Sequence, residues 1–582
     1  MSRVALALAL LACSVSPATT PNVVVILADD LGWGDLSGSG NTNLKTPHID
    51  SLAADGATFE RFFVQPVCSP TRAEFLTGRY HTRGGVRGVT SGGERLDLDE
   101  TTIAECFKKA GYATACFGKW HNGSQHPYHP TARGFDEFFG FTHGHLAHYF
   151  DSTDLDHNGQ PATGKGYLPD EIAGRAIDWF GTQAKAGKPF LAYLAFNTPH
   201  SPMQVPDEYW DRFKSADLKR KGRPAENLDH TRAALAMTEN LDDNVGRVLD
   251  ALKKLKLDAN TLVLFFSDNG PNGARWVGGM KGQKGSTDDG GVRSVLHVRW
   301  NGAVKPGTVV KPVAGAIDLM PTLLGLCGLK NAGTKRLDGV DLSKQLLDAN
   351  PPAVPERFLI QTWNGKHSVR SDRYRLDATG KLFDTTADPG QTTDVSAKEP
   401  GVLQKHQDAL AGWKKDALAE LPATDERPFP VGHTDRTELP ARDGVMTGGI
   451  KRSAAAPNSS YFTNWTKADD SVAWYVELPE AGDYELIVQY TCAKADVGST
   501  LQAKLGASKW TGKIEKAADP QTVGKEADRV PRQGESYTKP FAAVSLGVAG
   551  VAKGSSMLTL TATDVKGAQV ADVRGVVLVR KR

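Results

Sequence analysis

The sequence has little cysteine, almost no net charge and, after its first residues, no apolar run long enough to span a membrane. Six cysteines are spread over 582 residues, and the five that follow Cys13 are an odd number, which excludes a disulfide framework as the basis of the fold. Lys and Arg total 69 against 67 Asp and Glu, so no excess positive charge favours nucleic acid, and we expect no such partner. Hydrophobic residues make up 40% of the chain, which excludes wholesale disorder.

Residues 1–18 have the pattern of a secretory signal. A short basic start, Met1-Ser2-Arg3, precedes apolar residues 4–12 and then the small residues Ser16-Pro17-Ala18, which suit cleavage. The apolar part is too short to cross a bilayer. Residues 10–13 resemble a bacterial lipobox in which Cys13 would be lipidated, although Leu11 suits that motif poorly. We expect an exported protein, periplasmic or extracellular, that is bound to a membrane only if Cys13 carries a lipid.

The pattern of residues 22 to about 330 predicts an α/β fold with a large, mixed, mainly parallel sheet flanked by helices. Buried-strand patterns at 22–28, 112–117, 190–196 and 261–267 alternate with helical patterns at 101–110, 170–186 and 229–255. Alternating strands and helices imply crossover connections and helices on both faces of the sheet.

The sequence pattern after the main α/β domain, at 19–350, predicts further domains. Short alternating segments and one amphipathic helix at 351–421 indicate a small α+β subdomain. Residues 422–455 are rich in Pro, Gly, Thr and charge, which is typical of a linker. From 456 to 582 period-two alternation with intervening turns predicts an antiparallel β-sandwich.

Reactive side chains follow each of the four predicted strands. They are Asp29-Asp30 after the first, Lys119 and His121 after the second, His200 after the third, and Asp268-Asn269 after the fourth. Ligands of open parallel sheets bind beyond the carboxyl ends of the strands, so one sheet edge should collect all of these groups. Carboxylate and amide oxygens are the ligands of hard cations, which favours Ca²⁺, with Mg²⁺ as the alternative, over Zn²⁺.

The segment from Pro66 to Gly78 predicts an anion site that contains a thiol. Pro70 suits the first turn of a helix and Gly78 its end, which places Cys68 just before the helix. The unpaired amides and the dipole at that end stabilise negative charge. Arg72, one turn further on, has a guanidinium suited to an anionic oxygen. Alone, the pattern is equally consistent with a capped helix and an incidental cysteine.

The motifs together resemble those of the type I sulfatases, a branch of the alkaline phosphatase superfamily. Residues 68–72, Cys-Ser-Pro-Thr-Arg, followed by 76–79, Leu-Thr-Gly-Arg, resemble the family signature. Residues 111–121, 198–200, 267–270 and 284–293 resemble further family elements in the family's order, and 382–394 resembles part of its C-terminal subdomain. The resemblance covers roughly residues 22–420. Asp289, where Glu is common, and Ser294-Val295 depart from the pattern.

The resemblance implies a chemistry and a role for each residue. Cys68 is expected to be oxidised to formylglycine by a formylglycine-generating or sulfatase-maturating enzyme. One hydroxyl of the hydrated aldehyde, polarised by Asp268, attacks sulfur, and the second later expels sulfate. His121 is the expected base for that expulsion, His200 and Lys284 protonate or stabilise the leaving oxygen, and Lys119 and Arg72 hold the sulfate or the diol. The expected metal ligands are Asp29, Asp30, residue 68, Asp268 and Asn269.

The substrate-binding residues are predicted from chemistry alone. The dense histidine cluster at His143 and His145 suits the wall of a polar pocket, and Arg275-Trp276 lies between two of the matched elements and suits a sugar face. Trp363 and His367 are placed to reach the site from the smaller subdomain. Trp465, Trp474 and Tyr475 are interpreted first as sandwich core and second as a carbohydrate platform.

The expected function is therefore hydrolysis of sulfate esters on a sulfated carbohydrate. Export and an added sandwich favour a glycan substrate over a small aryl sulfate by analogy only. A phosphate or phosphonate monoester hydrolase of the same superfamily is the alternative among enzymes. A non-catalytic protein that binds sulfated glycans is the alternative of a different class.

Overall fold

The computed structural model describes residues 20–581. The expected signal segment and Cys13 lie outside the described residues. No helix within 20–581 combines the length and the apolar character that a membrane crossing requires.

The helices frame the main domain and one side of the small subdomain. They are α1 (Pro47–Ala54), α2 (Cys68–Thr77), α3 (Ile103–Lys109), α4 (Leu168–Ala186), α5 (Asp207–Phe213), α6 (Leu228–Lys254), α7 (Asp289–Val292), α8 (Leu319–Leu326), α9 (Ser343–Leu347) and α10 (Pro400–Asp416).

The strands of residues 22–384 form one large sheet and two small ones. They are β1 (Asn22–Ala28), β2 (Ala57–Phe59), β3 (Phe62–Phe63), β4 (Ala113–Lys119), β5 (Glu137–Phe141), β6 (Leu155–His157), β7 (Gln160–Ala162), β8 (Phe190–Ala195), β9 (Thr261–Ser267), β10 (Arg293–Ser294), β11 (Leu296–Arg299), β12 (Thr308–Val310), β13 (Ala314–Gly315), β14 (Leu359–Trp363), β15 (Lys366–Arg370), β16 (Tyr374–Leu376) and β17 (Leu382–Asp384).

The large sheet confirms the predicted α/β class. Its order is β12-β2-β11-β9-β1-β8-β4-β5-β6-β7, and β9, β1, β8, β4 and β5 run parallel. Every residue of β1, β4, β8 and β9 is buried, because helices and loops cover both faces of the sheet. These are the four strands predicted from the sequence, and they are adjacent at the centre of the sheet, so their carboxyl ends meet.

The small subdomain is the four-stranded antiparallel sheet β14-β15-β16-β17 with α10 on one face. Trp413 of α10 packs with Ile360 and Val369 on that face. The opposite face of the sheet meets the main domain, where Leu359 packs with Phe63 and Val292. Both faces of this sheet are therefore covered.

Arg370 joins the small sheet to the main domain, and its loss should be costly. Its guanidinium donates to Asp289, to the Thr287 carbonyl (2.7 Å) and to Gln361 Oε1 (2.9 Å). Both members of the ion pair are buried, and burial lowers the pKa of Arg370 to about 10 although Asp289 opposes the shift. Arg370→Ala would leave Asp289 buried without its partner, which costs about 3–5 kcal/mol. We expect a clear fall in the urea midpoint of unfolding.

The matched control for Arg370 is Arg336, whose side chain is 70% exposed in its pair with Asp416. An exposed pair contributes about 0–1 kcal/mol, so Arg336→Ala should barely move the same midpoint. Equal midpoints for the two variants would show that the buried pair contributes no more than the exposed one.

The C-terminal domain is a two-sheet β-sandwich. Its strands are β18 (Phe429–Pro430), β19 (Arg436–Pro440), β20 (Val445–Met446), β21 (Lys451–Arg452), β22 (Phe462–Thr463), β23 (Ser471–Leu478), β24 (Gly482–Thr491), β25 (Thr500–Leu505), β26 (Ser508–Lys513), β27 (Ala542–Val551), β28 (Gly554–Asp564) and β29 (Asp572–Lys581). One sheet is ordered β18-β23-β28-β25-β26 with β20 on β23, and the other β21-β22-β29-β24-β27 with β19 on β29. Trp465 and Trp474 are fully buried between the sheets, whereas Tyr475 is 41% exposed.

The predicted linker at 422–455 is wrong for most of its length. Strands β18 to β21 lie within it and pair with β23, β29 and β22, so residues 429–452 are part of the sandwich. Strands of two to five residues form by backbone pairing with longer neighbours and need little apolar periodicity of their own. Because residues 422–455 are rich in Pro, Gly and Thr, their composition predicted a linker and did not indicate these strands.

The sandwich is packed tightly against the main domain. Val530 is buried in the apolar core that lies beside α4 and α6 of the main domain. Gln204 donates to the Gly524 carbonyl (2.6 Å) and to Asp528 (2.7 Å), and the Arg529 amide donates to the Met203 carbonyl (2.8 Å). These contacts fix the segment around residue 530 beside the loop that carries His200.

Two buried carboxyl groups, those of Glu94 and Asp443, meet at the same domain interface. Within the described part of the chain, one oxygen of each has no hydrogen-bond partner. Burial and then the Asp443 charge raise the pKa of Glu94 to about 7. Glu94 therefore keeps its proton in the folded protein at pH values where the unfolded chain has already released it. The stability that this protonated carboxyl allows is fully present below the unfolded pKa, and it is lost as pH rises toward about 7.

Glu94→Gln should remove this loss of stability. We expect the difference in unfolding free energy, variant minus native, to rise by on the order of 3 kcal/mol between pH 5 and pH 8. Urea unfolding of both proteins across that range measures the difference. Arg442 and Arg95 also face Glu94 and favour its charged form. A difference that does not change with pH would contradict the raised pKa of Glu94.

Candidate active site

Four potential ligands meet at the carboxyl edge of the large sheet. One ligand atom from each of Asp29, Asp30, Cys68 and His200 lies within 4.8 Å of the others, and all four residues are buried. Asp29 and Asp30 follow β1, and His200 follows β8. The Asp29 amide donates to the Thr198 carbonyl (3.1 Å), which ties the two strand ends together. The convergence predicted from the sequence is therefore present in the fold.

Cys68 is brought to this edge by the start of α2. The structure places it as the first residue of the helix, with Val67 as the extended cap, rather than just before the helix as predicted. Its Sγ donates to Asp29 Oδ1 (3.3 Å). Thr71, in the first turn, donates to the Asp268 carbonyl (2.6 Å) and so ties α2 to the end of β9. Gly78 ends the helix in the left-handed conformation, with φ of 66°.

Three fixed cations surround the carboxylates. Lys119 Nζ lies 2.7 Å from Asp29 Oδ2, and Lys284 Nζ lies 2.7 Å from Asp30 Oδ1. Arg72 donates from Nε (3.1 Å) and Nη2 (2.7 Å) to Asp268 Oδ2. Such paired donors fix the direction of a carboxylate, and the same groups suit the oxygens of an anionic ester.

Burial and the neighbouring charges shift the pKa of each carboxyl group at the site. Burial opposes ionisation of Asp29, but Lys119 and His200 hold its pKa well below its usual range. Burial likewise opposes ionisation of Asp30, but Lys284 and His200 lower its pKa. Burial and the Asp29 charge raise the pKa of Asp268 to about 7 despite Arg72. Three carboxylates thus face three basic side chains, and Asp268 is the carboxylate that takes up a proton most readily.

The donor set fits a hard divalent cation. Asn269 donates through Nδ2 to Asp30 Oδ1 (2.8 Å), while its buried Oδ1 has no hydrogen-bond partner among the described residues. An orphaned amide oxygen beside two ionised carboxylates matches the oxygen ligands of Ca²⁺ or Mg²⁺. Asp29, Asp30, Asn269 and the group at position 68 would hold such an ion. His200 also lies in this group of ligands, where the sequence predicted a role only toward the leaving oxygen.

Two histidines at the site have defined tautomers. His121 Nε2 lies 2.8 Å from the Val89 carbonyl, so Nε2 carries the proton and the buried Nδ1, which has no partner, is free to accept one. His200 Nδ1 lies 2.6 Å from the Ser201 carbonyl, which leaves Nε2 as the acceptor, 3.7 Å from Asp30 Oδ2. Burial, followed by Lys119 for His121 and Lys284 for His200, lowers the pKa of each. Both rings are neutral near pH 7.

Of the predicted substrate residues, His145 lies beside His200. Its ring centroid is 5.6 Å from that of His200, and both of its nitrogens are buried without a hydrogen-bond partner among residues 20–581. His143, two residues earlier, instead points to Asp154, with Nε2 at 3.5 Å from Oδ2. The residues 143–145 therefore separate the catalytic group from a neighbouring cavity.

Arg275 is not free to bind a substrate, which corrects that prediction. It is buried, it donates through Nε to Asp35 Oδ2 (2.8 Å), and its Nη2 donates to the Asp30 carbonyl (2.7 Å). The residue thus supports the backbone beneath the metal ligands. Trp276 packs against Trp33, with centroids 6.5 Å apart, under the Arg220 guanidinium.

His367 faces away from the site, which corrects a second prediction. Its ring packs on Trp413 of α10 at 5.5 Å, while Ser368, the next residue on β15, donates to the Thr287 carbonyl on the side of the main domain. Alternate residues of a strand point to opposite faces, so His367 cannot share the face of Ser368. Trp363, at the end of β14, makes no hydrogen bond, ion pair or ring contact with the catalytic group within residues 20–581.

Several residues that contact the His200 loop lie in no sequence motif and were not predicted. The Tyr149 hydroxyl lies 2.7 Å from the Ser201 carbonyl and 3.0 Å from that of His200, so it holds the loop. Glu535 of the sandwich accepts a hydrogen bond from Ser201. Ser459, also of the sandwich, donates to the His145 carbonyl (3.0 Å). Tyr149 follows the histidine cluster directly, whereas the sandwich residues lie hundreds of positions away in the sequence.

The fold and the site together define an ester hydrolase in which a cation site and fixed basic side chains receive an anionic ester at the edge of a parallel sheet. Residues 21–329 match the family model described as Sulfatase. The chain belongs to the sulfatase family and is a sulfatase, an enzyme that hydrolyses sulfate esters. Members of this family generally use a formylglycine and a divalent cation.

Individual relatives agree with this assignment. Arylsulfatase A of Bos taurus is 33% identical over 436 residues, which cover 68% of this chain and 82% of that protein. N-acetylgalactosamine-6-sulfatase of Mus musculus is 31% identical over 366 residues, which cover 56% of this chain and 66% of that protein. Among solved structures, Ps i-CgsB in complex with k-i-k-neocarrahexaose aligns with a TM-score of 0.63 and 28% identity, covering 70% of this chain and 95% of that chain.

Proposed function

We propose that this sulfatase releases sulfate from a sulfated carbohydrate through a formylglycine made from Cys68. The observation that carries the proposal is the position of the Cys68 side chain, which contacts Asp29 at 3.3 Å within a buried group of cation ligands. Two proteins to which the chain is similar support a carbohydrate substrate, one named for a sulfated amino sugar and one solved with a carrahexaose.

The roles proposed for the chain's own residues follow from their charge and contacts. Lys119 and Lys284 are cations held beside Asp29 and Asp30, and they would hold sulfate oxygens and stabilise charge on the leaving oxygen. Neutral His121, with a free Nδ1, would accept the proton when sulfate is expelled. His200 presents Nε2 to the same space. A bound Ca²⁺ or Mg²⁺ would supply Lewis-acid charge stabilisation to the ester oxygens.

We also propose that the protein is exported and is matured by a formylglycine-generating or sulfatase-maturating enzyme. The basic and apolar start of the sequence supports export. Burial raises the pKa of the unmodified Cys68 thiol, as do Asp268 and Asp29, so the thiol is a poor nucleophile near neutral pH. Conversion of the residue would supply the oxygen nucleophile that a neutral thiol lacks.

Turnover of matched esters tests the proposal. Protein shown by peptide mass to carry the aldehyde at position 68 is assayed on 4-nitrophenyl sulfate, 4-nitrophenyl phosphate and a panel of sulfated saccharides. We expect sulfate release from the aryl sulfate and from a saccharide, with a higher kcat/KM for sulfate than for phosphate. Preference for phosphate would establish the monoester phosphatase alternative, and saccharide binding without sulfate release would establish a non-catalytic binder.

A further inference from the structure

A polar cavity of about 260 Å³ lies between the main domain and the sandwich. The main domain contributes Phe141, His143 and Asp154 to its wall, and the sandwich contributes Arg442, Tyr461 and Arg574. Neither domain alone encloses the space. Arg574 of the sandwich forms an ion pair with Asp154 of the main domain, and this ion pair joins the two walls of the cavity.

The cavity wall presents polar groups that are only weakly paired. Within residues 20–581, His143 Nε2 and Arg442 Nε make no close hydrogen bond, and their ion-pair partners lie at 3.5 Å (Asp154) and 3.7 Å (Asp443). A ligand that supplies closer acceptors at these positions would bind favourably. Three arginines in the wall, Arg436, Arg442 and Arg574, face three carboxylates, Asp154, Asp156 and Glu438. This balance favours a hydroxyl-rich ligand over a second strongly anionic one.

The same wall carries an aromatic pair. The rings of Tyr461 and Phe541 lie 5.5 Å apart at an interplanar angle of 65°, and both are half-buried at the cavity. Apolar ring surface combined with a few placed polar groups is typical of small-molecule sites. Together with the polar groups of the wall, it suits the apolar face and the hydroxyl groups of a sugar ring.

Only a thin wall separates this cavity from the catalytic group. A side-chain carbon placed at Gly144 would lie 2.4 Å from His121 Nε2 on one side and 3.0 Å from the cavity residue Asn458 on the other. His143 faces the cavity, and the His145 ring lies beside His200. The cavity lining does not include Asp29, Cys68 or His200, so a group bound there does not carry the reacting sulfate, and the shared wall places that group beside the site that does.

We propose that the interdomain cavity is a subsite for a sugar residue next to the one that carries the departing sulfate. The enzyme then acts on an oligosaccharide, and the sandwich supplies half of the wall that recognises chain length. The proposal rests on the carbohydrate substrate of the proposed function and goes beyond it by assigning the site that binds the neighbouring sugar.

Calorimetry with saccharides of increasing length tests this subsite. The probes are the mono-, di-, tetra- and hexasaccharides of sulfated carrageenan and of heparin, titrated into Cys68→Ala protein so that no turnover occurs. We expect the affinity for at least one series to rise about tenfold or more from mono- to tetrasaccharide. Tyr461→Ala, in the same background, should remove that rise. Gln489→Ala, which alters another cavity side chain without a hydrogen bond, provides a second variant if the first does not fold.

Tyr475 is the matched control, since it is an exposed tyrosine of the sandwich that lies outside the cavity. Tyr475→Ala should keep the full dependence on chain length. The subsite would be overturned if affinity did not change with chain length in either series. It would also be overturned if affinity depended equally on chain length in the Tyr461 and Gln489 variants and in the control. Failure of the proposed function would be seen in a different experiment. Native enzyme that carries the aldehyde would then release no sulfate from 4-nitrophenyl sulfate, and the binding experiment does not measure that release.

Discussion

Cys68→Ala is expected to reduce sulfate release by about a thousandfold or more, because residue 68 is the proposed source of the nucleophile. The side chain is buried at the first turn of α2 and contacts Asp29. Alanine can carry neither an oxygen nucleophile nor a ligand, while Arg72, Lys119 and the histidines remain in place. The measurement is kcat/KM on 4-nitrophenyl sulfate, accompanied by the intact mass of the peptide that spans residue 68.

Cys327→Ala is the control for this variant. Cys327 is a half-buried free cysteine just beyond α8, outside the catalytic group. Its replacement should leave both turnover and the mass at residue 68 unchanged. Comparable turnover in Cys68→Ala and native protein would remove Cys68 from the mechanism, whatever the fold. Native protein that lacks the aldehyde and yet turns over rapidly would show instead that the modification is unnecessary.

The central part of the site could be predicted because it depends on local pattern and on one topological rule. The strands β1, β4, β8 and β9 are continuous apolar runs, and each is followed at once by polar residues. Parallel strands place their carboxyl ends at one edge, so Asp29, Lys119 and His200 had to converge once the class was known. The motif around Cys68 then predicted which residue would supply the nucleophile, and the structure places that residue at the same edge.

The substrate-facing part could not be predicted, because it depends on which face of an element is covered by another domain. His367 and Ser368 are neighbours on β15, and nothing in their sequence shows which one meets the main domain, since both faces of that sheet are buried. Arg275 has the chemistry of a ligand-binding residue, but the distant Asp35 binds its guanidinium. Glu535 and Ser459 reach the histidine loop only through docking of the sandwich. These are long-range contacts without sequence periodicity.

Asp30→Asn is expected to weaken binding of the divalent cation by about 100-fold or more and to abolish most activity with it. Asp30 is fully buried, and its carboxylate contacts both Asn269 and Lys284. Asparagine at position 30 removes one negative charge from the centre of the cluster. The neighbouring cations are then less compensated, and the ion exchanges a charged ligand for a neutral one. Calorimetric titration of Ca²⁺ and, separately, of Mg²⁺ into chelator-treated native and variant protein measures the affinity directly.

The other acidic group of the main domain provides the control for Asp30→Asn. His48, Asp242 and Asp243 also lie close together, but His48 and Asp243 are exposed, and Asp243 accepts a hydrogen bond from Tyr209. Asp243→Asn should leave cation affinity and sulfate release unchanged. A ligand that binds only the folded state adds about 2.7 kcal/mol of stability at a concentration 100 times its Kd, so the cation should also stabilise native protein and Asp243→Asn, but not Asp30→Asn, against heat. Equal cation affinity in all three proteins would place the ion elsewhere.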